Sequence, residues 1–179
     1  MLLKIWNQYR ARSYLFKGAI KGNLVLVKKA LKFGANINSR SFARVLDSEL
    51  DNKTPLCLAL ENKNIEVAQF LLEQGANPFE KWNNEFSGAS MTIILRDGLL
   101  NLLEMVASKY PQEMDWLYSN QINAIEREDF DFKGDKIPLM TYFKYANPEA
   151  AQIWEVKLEQ EKLKQTLPNA IRDFKIKRI

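Results

Sequence analysis

Between Glu126 and Asp135 the sequence reads EREDFDFKGD, with carboxylates at Glu126, Glu128, Asp129, Asp131 and Asp135. Carboxylates at this density suggest cation binding first. Asp129, Asp131 and Gly134 fall on the first, third and sixth positions of a calcium-binding EF-hand loop. The fifth position, however, is Lys133, which brings a cation where an oxygen ligand is needed. The twelfth is Met140 rather than a bidentate glutamate. No metal site is therefore expected here. What remains is an acidic segment interleaved with Phe130 and Phe132, suited to a basic protein surface that it would meet quickly and selectively.

Other chemistry is narrowed by composition. The chain has no histidine and one cysteine, Cys57. A Ser-His-Asp triad, a Cys-His pair and histidine-containing zinc sites are excluded, and Cys57 alone cannot hold a structural zinc. With seven glycines there is no Gly-rich phosphate loop. Paired carboxylates occur, but a charged surface supplies them without any catalytic purpose, and Ser–Lys pairs are a matter for geometry. The expectation is a protein that is not an enzyme and needs no cofactor.

The 179 residues suggest one domain, and 46% hydrophobic residues suffice for a sizeable core. No run approaches the roughly 18 apolar residues of a membrane span. The N-terminal apolar stretch breaks at Lys4 and shows no cleavage site, so the expected location is the cytoplasm. The net charge of +4 is segregated. Residues 1–40 carry nine bases and no acid, residues 41–164 carry 13 bases and 21 acids, and residues 165–179 carry four bases and one acid. Such asymmetry bears on partners rather than on fold.

The elements that must position these charges show themselves by repetition. LKFGAN, Leu31 to Asn36, returns as LEQGAN, Leu72 to Asn77. Upstream, apolar residues match at Leu24/Ile65, Val27/Ala68, Ala30/Leu71 and Leu31/Leu72, in steps of three, three and one. That is helical spacing. The glycine that follows suits a helix end in the left-handed conformation. Thr54 is placed to cap a helix, with Pro55 at its first position.

A Thr-Pro-Leu start, a helix pair and a Gly-Ala-Asn end, carried by DNKTPLCLALENKNIEVAQFLLEQGANP from Asp51 to Pro78, resemble the ankyrin repeat. The resemblance implies an all-α solenoid of stacked helix pairs. Cys57 stands where the family motif has histidine, so a hydroxyl–imidazole link between turns is not expected, and Cys57 reads as a small buried filler. KIPLMTYFKYANPEAAQIW, Lys136 to Trp154, aligns without gaps on Lys53 to Leu71. RDGLLNLLEMVASKY, Arg96 to Tyr110, repeats the second helix but has lost Gly-Ala-Asn. About four repeats span residues 13–158, after a capping segment at 1–12 and before a helical extension and basic tail at 159–179. Leu2, Ile5, Trp6 and Tyr9 share one face of the capping helix. The last helix is expected from Glu149 to Pro168, with Trp154 and Leu158 turned inward.

Gly22, Lys63, Gly98 and Ala146 read as equivalent positions, spaced by 41, 35 and 48 residues. Against a usual period of about 33, the surplus falls in finger loops between repeats, where solenoids often bind. The fingers are Asn38 to Lys53, Pro78 to Gly88 and Pro111 to Lys136, the last with room for an extra helix at Pro111. Candidate protein-binding residues are Phe42, Trp82, Glu85, Phe86, Glu126, Glu128, Asp129, Phe130, Asp131 and Asp135, since exposed aromatics among charges make interface hot spots.

Ankyrin arrays are used for protein binding, so the resemblance implies a non-catalytic interaction module, monomeric when free. Small stand-alone members of bacterial type resemble immunity proteins, and the Lys- and Asn-rich style fits that origin. The expected function is stoichiometric neutralisation of a toxin with a basic surface. The alternatives are a secreted effector that binds a host protein and, third, lipid or nucleic-acid binding through the basic ends. The acidic middle disfavours nucleic acid, and about twelve N-terminal residues make a poor membrane anchor.

Overall fold

The computed structural model describes residues 2–41, 53–79, 81–82, 85–86, 89–114, 121–123 and 136–176. Helices come in antiparallel pairs: α1 (Leu2–Lys21) with α2 (Leu24–Lys32), α3 (Pro55–Glu61) with α4 (Ile65–Glu73), α5 (Ala89–Arg96) with α6 (Leu100–Lys109), and α7 (Leu139–Ala146) with α8 (Pro148–Ile176). α1, α3, α5 and α7 stack as one layer, while α2, α4 and α6 stack as the other. Two antiparallel ribbons stand between pairs: β1 (Lys81–Trp82) with β2 (Glu85–Phe86), and β3 (Gln121–Asn123) with β4 (Lys136–Pro138). The fold is thus the expected all-α solenoid, with short ribbons in two of its fingers.

The core follows the repeated apolar positions. Val27, Ala30, Ala68, Leu71 and Leu72 are buried as the shared pattern requires, while Leu24 is partly exposed and Ile65 exposed at the helix starts. α3 is buried along Pro55 to Leu60. A helix that is apolar all round belongs between neighbours, and α3 lies between α1 and α5. Thr54 caps it, its hydroxyl accepting from the Cys57 N–H at 3.2 Å. Cys57 is buried, as a filler should be.

The inner turns show what the repeat is for. Gly22, Lys63 and Gly98 have positive φ, at 67°, 57° and 63°. Each is followed by a residue whose N–H reaches back five positions: Asn23 to Gly18, Asn64 to Ala59 and Leu99 to Ile94. Those bonds satisfy carbonyls that the helix ends leave without partners. Ala146, aligned with them in the sequence, departs from this pattern. It is the last residue of α7, and Asn147 donates to Phe143 as an ordinary helical residue would. Pro148 starts α8 with its own fixed φ.

The turns are also where pairs lock together. The Asn64 side-chain amide donates to the carbonyls of Ala19 and Ile20 at 2.8 and 2.9 Å, crossing from the second pair to the end of α1. Asn147 repeats this across the third and fourth pairs, donating to Arg96 at 3.3 Å, while its oxygen accepts from the Ala150 N–H. A Cβ at Gly22 would lie 2.6 Å from the Asn64 oxygen, and one at Gly98 would lie 2.5 Å from the Asn147 nitrogen. At Lys63, which carries a side chain, the residue equivalent to these asparagines in the next pair is Leu99.

Both ends of the stack differ from simple caps. α1 is one helix of 20 residues, with no break between residues 12 and 13. Tyr9 is exposed rather than turned inward. α8 runs 29 residues, about 43 Å at 1.5 Å per residue, and passes the expected stop at Pro168. Proline removes one backbone bond and crowds the preceding turn, yet the flanking Lys, Gln, Leu, Ala and Arg residues favour helix strongly enough to continue. Trp154 is buried and Leu158 packs against the core, as expected.

The two classes of glycine should separate on mutation. Gly34 has φ 80° and nothing within 4 Å of a built Cβ. Gly34→Ala is expected to cost about 1 kcal/mol, the left-handed penalty alone. Gly22→Ala adds the collision with Asn64 and should cost at least about 2 kcal/mol more. Urea unfolding of both variants checks the order, and equal losses would remove Asn64 from the account.

Candidate functional site

Each finger leaves an outer helix and returns to the next inner helix, so the connectivity sets the roots of all three on the same side of the solenoid. The described residues show how their bases are fixed. At the first finger, Asn36 begins an Asx turn, its side-chain oxygen accepting from the Asn38 N–H at 2.9 Å. Asn38 in turn accepts from the Asn77 N–H at 2.9 Å, linking the two Gly-Ala-Asn turns. Arg12 donates to the Arg40 carbonyl and lies over the Phe16 ring. Ser41, which is buried, closes the loop: its N–H donates to the Lys53 carbonyl, and its hydroxyl accepts from the Lys53 N–H, both at 2.9 Å. Lys53 also pairs with Glu61 at 2.8 Å. The 11 residues between Ser41 and Lys53 therefore leave and return through one closed gate.

The second finger starts from the same Asx geometry, Asn77 accepting from the Phe79 N–H at 2.8 Å. It then forms the β1–β2 ribbon, which pairs Lys81 with Phe86 and Trp82 with Glu85. Only Asn83 and Asn84 separate the strands, the length of a tight hairpin connection. The third finger begins with a helical segment at 111–114, where an extra helix was expected, and Met114 is buried. It closes on the β3–β4 ribbon, with Gln121 opposite Pro138, Ile122 opposite Ile137 and Asn123 opposite Lys136.

The third repeat lacks Gly-Ala-Asn, and the end of its second helix does a different job. Lys109 donates to the carbonyls of Leu72 and Glu73 at 2.8 and 3.2 Å, satisfying the end of α4. Tyr110 donates to the Ala76 carbonyl at 3.3 Å and meets Phe79 edge to face, with ring centroids 5.6 Å apart. The pair thus holds the root of the second finger from the next repeat. The sequence shows here only that Gly-Ala-Asn is lost. The available signal was a cation followed by an aromatic at a helix C-terminus, where a long cationic side chain can reach carbonyls. Burial, with the Glu113 charge second, pushes the Tyr110 phenol above its usual value.

Of the sequence-derived candidates, Trp82, Glu85 and Phe86 lie in the second-finger ribbon. Phe42, Glu126, Glu128, Asp129, Phe130, Asp131 and Asp135 lie outside the described residues. Among the described residues no group of three or more acidic or thiol side chains could hold a metal ion. Nor is any described helix long and apolar enough to cross a membrane. The described residues offer hydrogen-bonded roots for the three fingers.

Two tests address the roots. Ser41→Ala removes the acceptor for the Lys53 N–H and should cost about 1 kcal/mol, with amide exchange at Lys53 accelerating more than at α4 core amides. Tyr110, raised above its unfolded value of about 10, contributes stability that is complete below that pH. That contribution is lost as pH rises through the folded value. Tyr110→Phe should remove this part of the alkaline decline, measured as the difference between wild-type and variant urea midpoints on either side of about pH 10.

Comparison with known proteins gives one family. The family model described as ankyrin repeat matches residues 51–83, which take in α3, α4 and β1. A search of curated proteins returns no match. Ankyrin repeats suggest a protein–protein interaction module, typically without catalysis of its own. Residues 51–83 match an ankyrin repeat, and the helix pairs stacked before and after them make an architecture consistent with an ankyrin-repeat solenoid.

Proposed function

We propose that this protein is a stoichiometric inhibitor that binds one protein partner through its three fingers, in the manner of an immunity protein neutralising a toxin. The observation that carries this reading is the anchoring of the finger roots. Ser41 and Lys53 close the first, Lys109 and Tyr110 grip the second, and the β3–β4 ribbon closes the third. Fixing the roots lowers the ordering cost of binding, which otherwise consumes much of an interface's free energy. Surplus residues spent at one junction, with their ends pinned, are more than a solenoid needs to turn a corner.

Charge supports the choice of partner. Residues 41–164, which contain the second and third fingers and the first beyond Arg40, carry a net charge of −8, and Glu126, Glu128, Asp129, Asp131 and Asp135 concentrate it beside Phe130. A basic toxin surface is complementary to such a prong. Trp82 and Phe86 supply aromatic anchors on the second finger, with Glu85 between them and Phe42 on the first. Binding would itself be the output, by masking the partner's working surface, in the cytoplasm of the producing cell.

The test is a pull-down from the source cell followed by kinetics on the recovered partner. A basic protein neutralised one-to-one is the expected catch. Reversal of Glu126, Glu128, Asp129 and Asp131 to lysine should then slow association at least about tenfold at low salt, with a smaller effect at high salt. An unchanged association rate removes the acidic prong. Export of the protein with no endogenous partner overturns the immunity reading.

A further inference from the structure

The first helix pair carries a feature lined by described residues outside the fingers. A cleft of about 180 Å³ opens between α1 and α2, lined by Arg10, Ala11, Tyr14, Lys29 and Phe33. That is room for a side chain rather than for one water. Its rim is cationic. Arg10 donates to the Tyr14 hydroxyl at 3.2 Å and sits 6.0 Å from that ring's centroid, so its guanidinium is held over the cleft wall. Lys29 enters from α2 and is exposed. The wall is apolar: Ala11 is buried at the back, and Phe33 is 54% exposed at the front. Lys17, Lys21, Lys28 and Lys32 are exposed on the same two helices, and the first 40 residues contain no acid to offset them.

We propose that the cleft between α1 and α2 is a second docking surface, for an acidic protein segment that sets a carboxylate between Arg10 and Lys29 and an apolar side chain against Tyr14 and Phe33. Charge complementarity selects the acid. A guanidinium fork and an ammonium on opposite walls can share one carboxylate. The apolar wall selects a peptide over a bare polyanion, because a phosphate backbone has nothing to place against Phe33. Phe33 follows the last turn of α2, and its backbone N–H is taken up by the helix end. Its exposed ring is therefore not demanded by the cap.

None of the described residues that line the cleft belongs to a finger, so its test is independent of the proposed function. Fluorescence anisotropy of the full chain would use a labelled peptide of alternating Glu and Phe. Matched peptides would carry Lys for Glu or Ser for Phe. An oligothymidylate and vesicles containing phosphatidylserine complete the set. The Glu/Phe peptide should bind best, and both substituted peptides should lose at least about tenfold. Lys29→Glu and Phe33→Ser should each weaken binding by about fivefold or more, while Lys162→Glu, on α8, should not. Urea midpoints equal to wild type show that both cleft variants fold. Wild-type affinity in either cleft variant overturns the proposal. So does tighter binding of oligothymidylate or vesicles than of the peptide, because that pattern marks a general polyanion surface.

Discussion

Every helix end leaves carbonyls without intrahelical partners, and in this protein many of them are satisfied by the neighbouring repeat. Asn64 serves Ala19 and Ile20, Asn147 serves Arg96, and Lys109 serves Leu72 and Glu73. This requirement settles the spacing of the pairs. An asparagine side chain is short, so it reaches the preceding helix only if the turn there carries no Cβ. Hence glycine at Gly22 and Gly98, while at Lys63 the aligned residue of the next pair is Leu99, which has no side-chain amide to place there. The apolar core makes the stack favourable, but the core residues are interchangeable in kind. The polar contacts set the distance and the order.

The second and third pairs meet by another arrangement. Their inner turn lacks an asparagine link, and the connection moves to the opposite, outer end, where Lys109 and Tyr110 reach back. That end is also where the second finger emerges. One pair of side chains therefore supports both the joint and the root of a loop. The first joint divides these tasks, with Asn64 on the inner turn and Asn38 bonded to Asn77 on the outer one. Anchored loop roots and joined repeats are two results of the same hydrogen bonds.

Much of the scaffold was legible because it is written in local signals. Thr54 and Pro55 announce the start of α3, and the Gly-Ala-Asn echo announces the ends of α2 and α4. The apolar steps at Val27/Ala68 and Ala30/Leu71 describe a buried face. The equivalence of Gly22, Lys63 and Gly98 holds in backbone conformation. Ala146 failed because an ungapped alignment carries no information about φ. Pro168 misled because proline's usual meaning was read without weighing the helix formers around it. The roles of Lys109, Tyr110 and Ser41 were hidden for a different reason. Each acts across 12 to 37 residues of sequence, and a single sequence does not reveal which distant backbone atom a side chain meets. The acidic run was visible as chemistry, but its seven candidates with Phe42 included lie outside the described residues.

The pairing of Gly22 with Asn64 and of Gly98 with Asn147 bears on how such a chain can be rearranged. Repeats are often regarded as modules that may be deleted, duplicated or shuffled at will. Here each joint is written half in one unit and half in the next. Moving the third pair directly behind the first would set Gly22 opposite Leu99, leaving the α1 carbonyls without their donor. Placing the fourth pair behind the second would drive Asn147 against the Lys63 side chain. The units thus carry a fixed order of assembly in their turns, and a viable deletion would have to remove a matched donor and glycine together.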